Sequence, residues 1–366
     1  MAGGHGRPDP DPDAPAAPEA AEAEVALWRR IMGSGFKLMR VPTPFQVGRV
    51  NCWLIEDEPL TLIDAGPNSG KSLDELARQL DALGYRFSDL EQIIVTHQHI
   101  DHLGLVDIVR GRSGAEVVAI EELVPFIDDY NGQAELDDGF AVELMLRHGI
   151  AEEVVFALRS VSGGFRSYGA PSTVDRVIRD GDVLEFRDRK LEVQLRPGHS
   201  PTDTLFWDEE RRIMVGGDHL IKHISSNPLL SRRLDGSTGR TASLLSYIES
   251  LSSTRELPVE IVLSGHGEPV TDHRDLIESR FRMHGRRAEK LLGLIGSEPM
   301  TAHGLAQELW GDVAVTQAFL TLSEVIGHMD LLIAEGRAVE LDDGDVTRFA
   351  AVAGAAAAGN PASGEG

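Results

Sequence analysis

The chain has 366 residues, of which 42% are hydrophobic and 26% are charged. This length allows one large hydrophobic core or two smaller ones, and the composition is that of a globular protein rather than a fibrous or wholly disordered chain. Lys and Arg total 35 against 59 Asp and Glu, so the formal net charge is -24. Such a surface repels phosphate backbones and anionic lipid, which disfavours nucleic acid and membranes as partners.

The single cysteine, Cys52, excludes an internal disulfide and a cysteine-based zinc site, and it agrees with a reducing, cytoplasmic location. Residues 1–24 carry prolines among aspartates and alanines and lack the pattern of a signal peptide, so we predict a disordered acidic tail. Residues 350–366 are rich in Ala and Gly and too short in apolar length for a membrane helix, which predicts a second flexible tail.

The first half of the chain alternates strand and helix patterns. Two apolar runs, residues 50–55 and 60–63, flank an acidic turn with a proline and predict a β-hairpin. Leucines at helical spacing over residues 72–83, followed by Gly84, predict a helix. Further along we predict a strand, a helix and a strand at residues 92–95, 103–112 and 115–120. This alternation predicts an α/β fold.

The second half is richer in strands. Short candidates, joined by Gly, Asp or Pro turns, lie at residues 177–178, 183–186, 191–195, 204–207, 212–215 and 261–263. Residues 121–176 interrupt the pattern and are expected to form helices and loops over one face. Their aromatic residues, Tyr130, Phe140, Phe165 and Tyr168, are candidates for the apolar wall of a lid, with core packing as the alternative.

The C-terminal part is helical. Residues 276–295, 305–309 and 318–335 predict three helices, and two short β runs follow them, which together describe a winged-helix unit. Four basic against eight acidic residues over 286–341 favour packing or dimerisation over binding in a DNA groove. We expect a homodimer that forms through this unit or through residues 143–153.

A cluster of potential metal ligands follows the apolar run at residues 93–95. His97, His99, Asp101 and His102 lie within six positions, and imidazole and carboxylate are the ligands that zinc, iron and manganese accept. The alternative is a solvated histidine-rich turn.

Three further candidate ligands lie downstream in glycine-containing turns. They are His199, Asp218 and His266. A glycine beside a ligand lets the backbone turn sharply, so that the side chain can point at a shared centre. Taken singly, each histidine could equally be a hydrogen-bonded surface residue, whereas the ordered set is far more specific.

This ordered set resembles the metallo-β-lactamase-fold hydrolase superfamily over about residues 36–273. Asp64 with Gly66 matches an early Asp-x-Gly turn that supports the ligands in that superfamily. The C-terminal unit resembles the winged-helix appendage of one branch, which includes lactamase-β-like-2 and glyoxalase II-like proteins. The resemblance implies a four-layer αββα sandwich and the following units: an acidic tail at 1–24, a catalytic domain at 25–275, a winged-helix domain at 276–349 and a flexible tail at 350–366.

The resemblance also implies two divalent cations, zinc first, with manganese or iron as alternatives. It assigns His97, His99 and His199 to one cation, Asp101, His102 and His266 to the second, and Asp218 to a bridging position. Strand alternation alone would keep residues 97, 99 and 101 on one side, so this division comes from the resemblance.

A water shared by two cations can become a hydroxide near neutral pH. The resemblance therefore predicts a metal-dependent hydrolase that cleaves an ester, thioester or lactone of a small-molecule substrate. Asp101, Asp218 and His223 are the catalytic candidates, with His219 as an alternative to His223. His102 resembles the thioesterase, lactonase and nuclease branches rather than true zinc β-lactamases, which disfavours antibiotic hydrolysis.

Three other functions stay open at this stage. One is a phosphodiesterase or single-strand endoribonuclease of the same fold, against which the acidic surface counts. Another is a mononuclear iron enzyme similar to persulfide dioxygenases. The last is a non-catalytic binding module that keeps the metal site for stability.

Overall fold

The computed structural model describes residues 18–296 and 298–353. Within them the strands form a six-stranded sheet, a five-stranded sheet and a two-stranded hairpin. The strands are β1 Phe36–Val41, β2 Val50–Ile55, β3 Thr61–Ile63, β4 Gln92–Ile94, β5 Glu116–Ile120, β6 Arg176–Ile178, β7 Val183–Glu185, β8 Lys190–Leu195, β9 Thr204–Asp208, β10 Ile213–Gly217, β11 Ile261–Ser264, β12 Ala338–Asp343 and β13 Val346–Ala351.

The α-helices lie between and after these strands. They are α1 Pro18–Gly33, α2 Gly70–Ala82, α3 Ile100–Leu103, α4 Val106–Ser113, α5 Val124–Asp128, α6 Tyr130–Arg147, α7 Glu152–Phe165, α8 Ser243–Glu256, α9 His273–Leu294, α10 Ala302–Trp310, α11 Val313–Thr316 and α12 Ala318–Ala334. None of the helices in the described ranges combines the length and the apolar character needed to cross a membrane.

The two large sheets differ in strand pairing. The first has the order β1-β2-β3-β4-β5-β6, with antiparallel pairs up to β3 and parallel pairs from β3 onward. The second has the order β11-β10-β9-β8-β7, in which β10 and β11 pair parallel and the other neighbours pair antiparallel. The predicted hairpin is confirmed as β2 and β3.

Alternate side chains of the second sheet face two different cores, as the period of a strand requires. Phe206 and Val215 pack in the core shared with Ile93 of the first sheet. Their neighbours Trp207 and Met214 face the opposite way, toward α8 and α9. On the first sheet, α2 packs against β1. The predicted α/β sandwich of two sheets with flanking helices is therefore confirmed.

A further core lies among the C-terminal helices. It contains Leu291 of α9, Leu322 of α12 and Phe349 of β13. α6 and α7 join this core through Leu144 and Val155. The inserted helices α6 and α7 therefore pack against the C-terminal helices, which corrects the expectation that they cover a face of the sheets.

The three predicted C-terminal helices and the hairpin are confirmed as α9, α10, α12 and the pair β12–β13. Their assignment as a winged helix stays a prediction. α9 crosses the proposed boundary at residue 276, because its start packs with α8 through Ile277 and its end packs in the C-terminal core through Leu292.

Both predicted tails are shorter than proposed. α1 begins at Pro18, so residues 18–24 are helical. The helix is stabilised by tertiary packing, since Ile31 is fully buried in the main core with Trp28 packed against it. At the other end, β13 includes residues 350 and 351. The remaining parts of the predicted tails, residues 1–17 and 354–366, lie outside the described residues.

A buried ion pair joins the two sheets. Arg189, which precedes β8, donates from Nε to Asp57 Oδ2 after β2 at 3.0 Å, and its Nη1 lies 3.9 Å from Asp208 Oδ2 in β9. The guanidinium also lies 4.8 Å from the ring centre of Phe36. The arginine thus compensates two buried carboxylates at once.

Replacement of Arg189 by alanine is expected to lower the free energy of unfolding by about 3 kcal/mol, because it leaves the buried carboxylate of Asp57 without its cationic partner. Urea denaturation measures this loss. Arg187→Ala is the control, since Arg187 is exposed and its ion pairs are worth less than about 1 kcal/mol. Equal stability of the two variants would contradict the assignment.

Candidate metal centre

Loops from both sheets meet at one end of the sandwich. These loops follow β3, β4, β8, β10 and β11 and carry, in that order, Asp64, residues 97–102, His199, Asp218 and His266. The carboxyl ends of strands in open α/β sheets are the usual position of ligand sites. The structure therefore brings together all seven residues predicted as metal ligands. They form two groups of three, and Asp218 lies between these groups.

Three imidazoles form the first group. His97 Nε2 lies 3.0 Å from His99 Nδ1, and His199 Nε2 lies 2.9 Å from the same nitrogen. His97 is fully buried, His199 is 9% exposed and His99 is half-buried. The three nitrogens converge, and His99 is the ring nearest to solvent.

The other ring nitrogens in this group fix where the hydrogens are. The Thr96 hydroxyl donates to Asp64, so it can only accept from His97 Nδ1, at 3.0 Å. His199 Nδ1 donates to the carbonyl of Asn227 at 2.9 Å. The Nε2 atoms of His97 and His199 therefore both present lone pairs. His99 Nδ1, which lies between them, can donate a hydrogen to only one of the two.

Asp101, His102 and His266 form the second group. His266 Nε2 lies 3.4 Å from Asp101 Oδ2, and its Nδ1 donates to the Arg49 carbonyl at 2.9 Å. His102 Nδ1 donates to Asp64 Oδ2 at 2.7 Å. As for His97 and His199, the Nδ1 atoms are held by the protein, and the Nε2 atoms face a common centre.

The division between the groups arises at a change of backbone conformation. His99 is extended, with φ -68° and ψ 141°, and α3 begins at the next residue. Asp101 and His102 therefore lie on a helical turn and not on the continued strand. This bend places Asp101 beside His266, as the resemblance implied and as alternation alone would not.

Asp218 lies between the two groups. Its Oδ2 is 3.6 Å from His199 Nε2 and 3.4 Å from His266 Nε2, and its Oδ1 is 3.5 Å from His102 Nε2. Among the described residues, Asp218 Oδ1, His102 Nε2 and His266 Nε2 are all buried and have no hydrogen-bond partner. Buried polar atoms in native proteins are nearly always satisfied, so these atoms fit a bound cation as their partner.

The donor set fits divalent cations. Imidazole nitrogens and carboxylate oxygens converge, and the Nδ1 atoms of four histidines are held by backbone or side-chain partners, which is the arrangement around protein-bound metals. A neutral hydrogen-bond network does not fit, because several lone pairs face one another without a hydrogen between them.

The electrostatics of the site favour positive charge. Burial lowers the pKa of His266, but the negative charges of Asp218 and Asp101 outweigh this and raise it to about 10. Conversely, burial raises the pKa of Asp218, and the neighbouring His266 and His102 outweigh this and hold it well below its usual value. The same negative field that binds a proton would bind a metal cation.

Two glycines allow the ligands to approach. A Cβ at Gly265 would overlap the carboxylate of Asp218 and lie 2.8 Å from the His102 ring. Gly267 has φ +70°, and a Cβ there would lie 2.6 Å from the His223 ring. Any larger residue at either position would push side chains out of the site.

Asp64 holds the ring of the ligand His102 and the backbone at Thr96 in place. It has a left-handed backbone, φ +59°, which is uncommon for a residue other than glycine and often occurs at functional sites. Its carboxylate accepts from the Thr96 amide and hydroxyl at 2.9 and 2.8 Å and from His102 Nδ1 at 2.7 Å.

Asp64→Asn is expected to weaken metal binding by about 10- to 100-fold, because the amide no longer provides two acceptor oxygens to hold the ring of His102. Titration of metal-depleted protein against a chromophoric chelator measures the change. Asp74→Asn, on the exposed face of α2, serves as the control. Unchanged metal affinity of the Asp64 variant would contradict this role.

Gln98 is a further site residue that the sequence analysis did not identify. Its Oε1 accepts from the Ser200 hydroxyl at 2.5 Å and from the hydroxyl of Thr202. It thus joins the loop after β4 to the loop that carries His199. The spacing of residues in the sequence cannot predict this contact, because Ser200 and Thr202 are about a hundred positions away from Gln98.

The structure separates the two histidines that follow Asp218. His219 is buried and its Nε2 lies 2.9 Å from Thr254 Oγ1 of α8, on the side away from the ligands. His223 is exposed and its ring lies against Gly267, next to the ligand His266. This placement supports His223 over His219 as a residue that faces substrate.

The four aromatic residues proposed for a lid have different positions. Tyr130 is buried in the main core and Phe140 packs against the C-terminal core, so core packing describes both. Phe165 and Tyr168 form a cluster with Phe45, with ring centres 5.7 and 6.1 Å from it. Phe45, in the loop between β1 and β2, was not identified from the sequence.

Comparison with known proteins agrees with this geometry. The family model described as "Metallo-beta-lactamase superfamily" matches residues 46–266. The protein named "Probable metallo-hydrolase YqjP" from Bacillus subtilis (strain 168) is 33% identical over 311 residues, which are 85% of this chain and 96% of that protein.

Two other similar proteins extend the comparison. A crystal structure of a metallo-beta-lactamase family protein from Thermus thermophilus aligns with a TM-score of 0.74 and 27% identity, and the match covers 87% of this chain and 99% of that one. A protein of Bos taurus named "Acyl-coenzyme A thioesterase MBLAC2" is 28% identical over 237 residues, 60% of this chain and 73% of its own length.

Proposed function

Since the chain belongs to the metallo-β-lactamase superfamily and is a metal-dependent hydrolase, we propose that it cleaves the acyl bond of a thioester, ester or lactone with two bound divalent cations. The observation that carries this proposal is the convergence of five imidazoles and two carboxylates, in which four of the imidazoles have their other ring nitrogen held by the protein.

We propose that His97, His99 and His199 hold one cation and that Asp101, His102 and His266 hold the other, with zinc as the preferred metal and manganese or iron as alternatives. Asp218, in contact with both groups, bridges them. A single iron, as in a dioxygenase, would leave one group without its cation, so the paired groups support the dinuclear hydrolase.

When bound, two such cations would lower the pKa of a shared water and polarise the scissile carbonyl. The chain itself orients these groups. Asp64 and the Asn227 carbonyl fix the rings of His102 and His199. We propose that Asp101 and Asp218 accept hydrogen bonds from the attacking water and that His223 faces the leaving group.

A thioester is the favoured member of this substrate class. The bovine relative named as an acyl-coenzyme A thioesterase matches 60% of the chain, and the half-buried ring of Phe45 with Phe165 and Tyr168 offers an apolar surface for an acyl chain. The net charge of -24 supports a small-molecule substrate over nucleic acid, whose phosphates it repels.

The proposal is tested with metal-depleted protein reloaded with zinc, manganese or iron(II). We expect two metal ions per folded chain by elemental analysis, and turnover of an acyl-coenzyme A thioester that a chelator abolishes and added metal restores. A nitrophenyl ester, a lactone, a phosphodiester and single-stranded RNA complete the panel.

His99→Ala is the matched variant, since it removes one ligand near the solvent side of the site and is expected to abolish turnover. Folded protein that binds no stoichiometric metal would overturn the proposal. Cleavage of the phosphodiester or of RNA without cleavage of any acyl substrate would replace it with the phosphodiesterase function.

We also propose a cytoplasmic location and a homodimer. Cys52 is buried, so it agrees with a reducing compartment without a redox role. Sedimentation equilibrium tests the dimer, and a monomer at micromolar concentration would contradict it.

A further inference from the structure

Residues 219–230, which we call the linking segment, lie outside the helices and strands and connect the metal centre to the C-terminal helices. The segment starts directly after Asp218. A segment without regular structure must find partners for its carbonyl groups elsewhere. Side chains supply them: Tyr247 donates to the His219 carbonyl at 2.7 Å, Ser264 to that of Leu220 at 2.7 Å, and Ser243 to that of Leu229 at 2.8 Å.

Arg280 of α9 holds the first part of the linking segment. Its Nη2 donates to the carbonyls of Ile221 and Ile224 at 3.0 and 2.8 Å, one on either side of His223. Burial lowers the pKa of Arg280, yet the carbonyl oxygens around the guanidinium compensate its charge. α9 therefore fixes the backbone that carries His223 to the metal centre.

Asn227 joins the metal centre to α12. Its carbonyl accepts from Nδ1 of His199 at 2.9 Å, and its side-chain amide donates to the Leu320 carbonyl in the first turn of α12 at 3.0 Å. One residue thus contacts a proposed metal ligand through its backbone and the C-terminal helices through its side chain.

Two further contacts hold the end of the linking segment on α12. The Leu230 amide donates to the Ser323 hydroxyl at 3.2 Å. The Leu230 side chain, only 2% exposed, is part of the core of the C-terminal helices rather than of the sheets. A movement of α12 would therefore move the Asn227 carbonyl, and with it the ring of His199.

We infer that Asn227 is a positioning residue through which α12 sets the orientation of His199 at the metal centre. The inference rests on the proposed function, because it assumes that His199 binds a cation. According to this inference, the C-terminal helices take part in the active site because they support the loops that carry the ligands. These helices come after residue 266, outside the range 46–266 that the family model matches.

The test measures the two metal-binding steps separately in the full-length protein. Metal-depleted Asn227→Ala is titrated with cobalt(II), followed by absorbance, and with zinc against a chromophoric chelator. We expect one of the two steps to weaken, by at most about tenfold, because the variant keeps the carbonyl that accepts from His199 but loses the side-chain amide that holds this carbonyl on α12. The other step and the melting temperature of the metal-free protein stay unchanged.

Two more variants make the result specific. Ser323→Ala, which removes the other hydrogen bond from α12, is expected to weaken the same step to a smaller extent. Arg282→Ala, an exposed position of α9 two residues after Arg280, is the control and should bind both ions like the wild type.

If Asn227→Ala and Ser323→Ala bind both ions with the affinity of the Arg282→Ala control, the inference is wrong and the proposed function is untouched. If both binding steps weaken together with the melting temperature, Asn227 acts on general stability and the inference also fails. A wild-type protein that binds no ion would remove the proposed function itself.

Discussion

Asp218→Asn is expected to lower kcat/KM by about 10³-fold or more. The carboxylate contacts imidazoles from both groups at 3.4 to 3.6 Å and is 6% exposed, so the substitution removes a buried negative charge from between the proposed cations. Charge stabilisation at such a site is worth several kcal/mol, and about 4 kcal/mol corresponds to three orders of magnitude. Steady-state kinetics with saturating zinc measures the effect.

Metal content shows whether the activity falls because a cation is no longer bound or because the negative charge alone is lost. We expect elemental analysis of Asp218→Asn to give fewer than two ions per chain, because a neutral amide no longer offsets the charge of two cations. Asp272→Asn makes the same chemical change at an exposed position before α9 and should retain full activity. Activity of Asp218→Asn within tenfold of the wild type would contradict a bridging role.

The sequence predicted the parts of the fold that local patterns determine. Residues 50–55 and 60–63 have the mostly apolar character of buried strands and form β2 and β3. The leucine spacing over residues 72–83 predicts α2, which the structure places at Gly70–Ala82. The sequence predicts such segments because most of their buried positions are apolar.

Elements whose stability depends on tertiary packing were not predicted. α8, Ser243–Glu256, is rich in serine, yet it buries Leu244, Tyr247 and Leu251 against the second sheet. The start of α1, residues 18–24, was assigned to a tail because its acidic composition resembles disorder, whereas Ile31 anchors the helix in the core. In both helices the decisive contacts come from distant parts of the chain, which periodicity alone does not reveal.

In the candidate site, the sequence likewise predicted the ligands but not the groups that orient them. Histidines and aspartates beside glycines mark the ligands, because their chemistry is in their side chains. The partners that orient two of those ligands are backbone carbonyls, at Asn227 and Arg49. A carbonyl is present at every residue, so no sequence pattern can identify the two that accept these hydrogen bonds.

Acidification is expected to destabilise the protein through two buried histidines between α9 and α12. His284 Nδ1 lies 3.2 Å from His328 Nε2, and His328 Nδ1 lies 2.6 Å from the Glu324 carbonyl, so His328 donates to that carbonyl and accepts from His284. Burial, together with the neighbouring Arg287, lowers the pKa of both imidazoles to about 3. Both are therefore neutral in the folded protein at all pH values above this.

The direction in which pH changes the stability follows from the unfolded chain, where each histidine has a pKa of about 6.5. Below that pH the unfolded state binds two protons that the folded state does not, so stability falls as pH falls. Between pH 7.5 and 5.0, each histidine contributes a loss of about 2 kcal/mol, and the pair contributes about 4 kcal/mol. Urea unfolding at the two pH values, with a chelator present, measures the loss.

The double variant His284→Gln/His328→Gln isolates this effect. Glutamine keeps a hydrogen-bonding side chain but does not titrate, so the variant should lose about 4 kcal/mol less than the wild type on acidification. Between pH 7.5 and 9 neither histidine changes charge, so the two proteins should respond alike. Parallel stability curves down to pH 5.0 would show that these imidazoles are protonated in the folded state, and that they do not hold α9 and α12 together as a neutral pair.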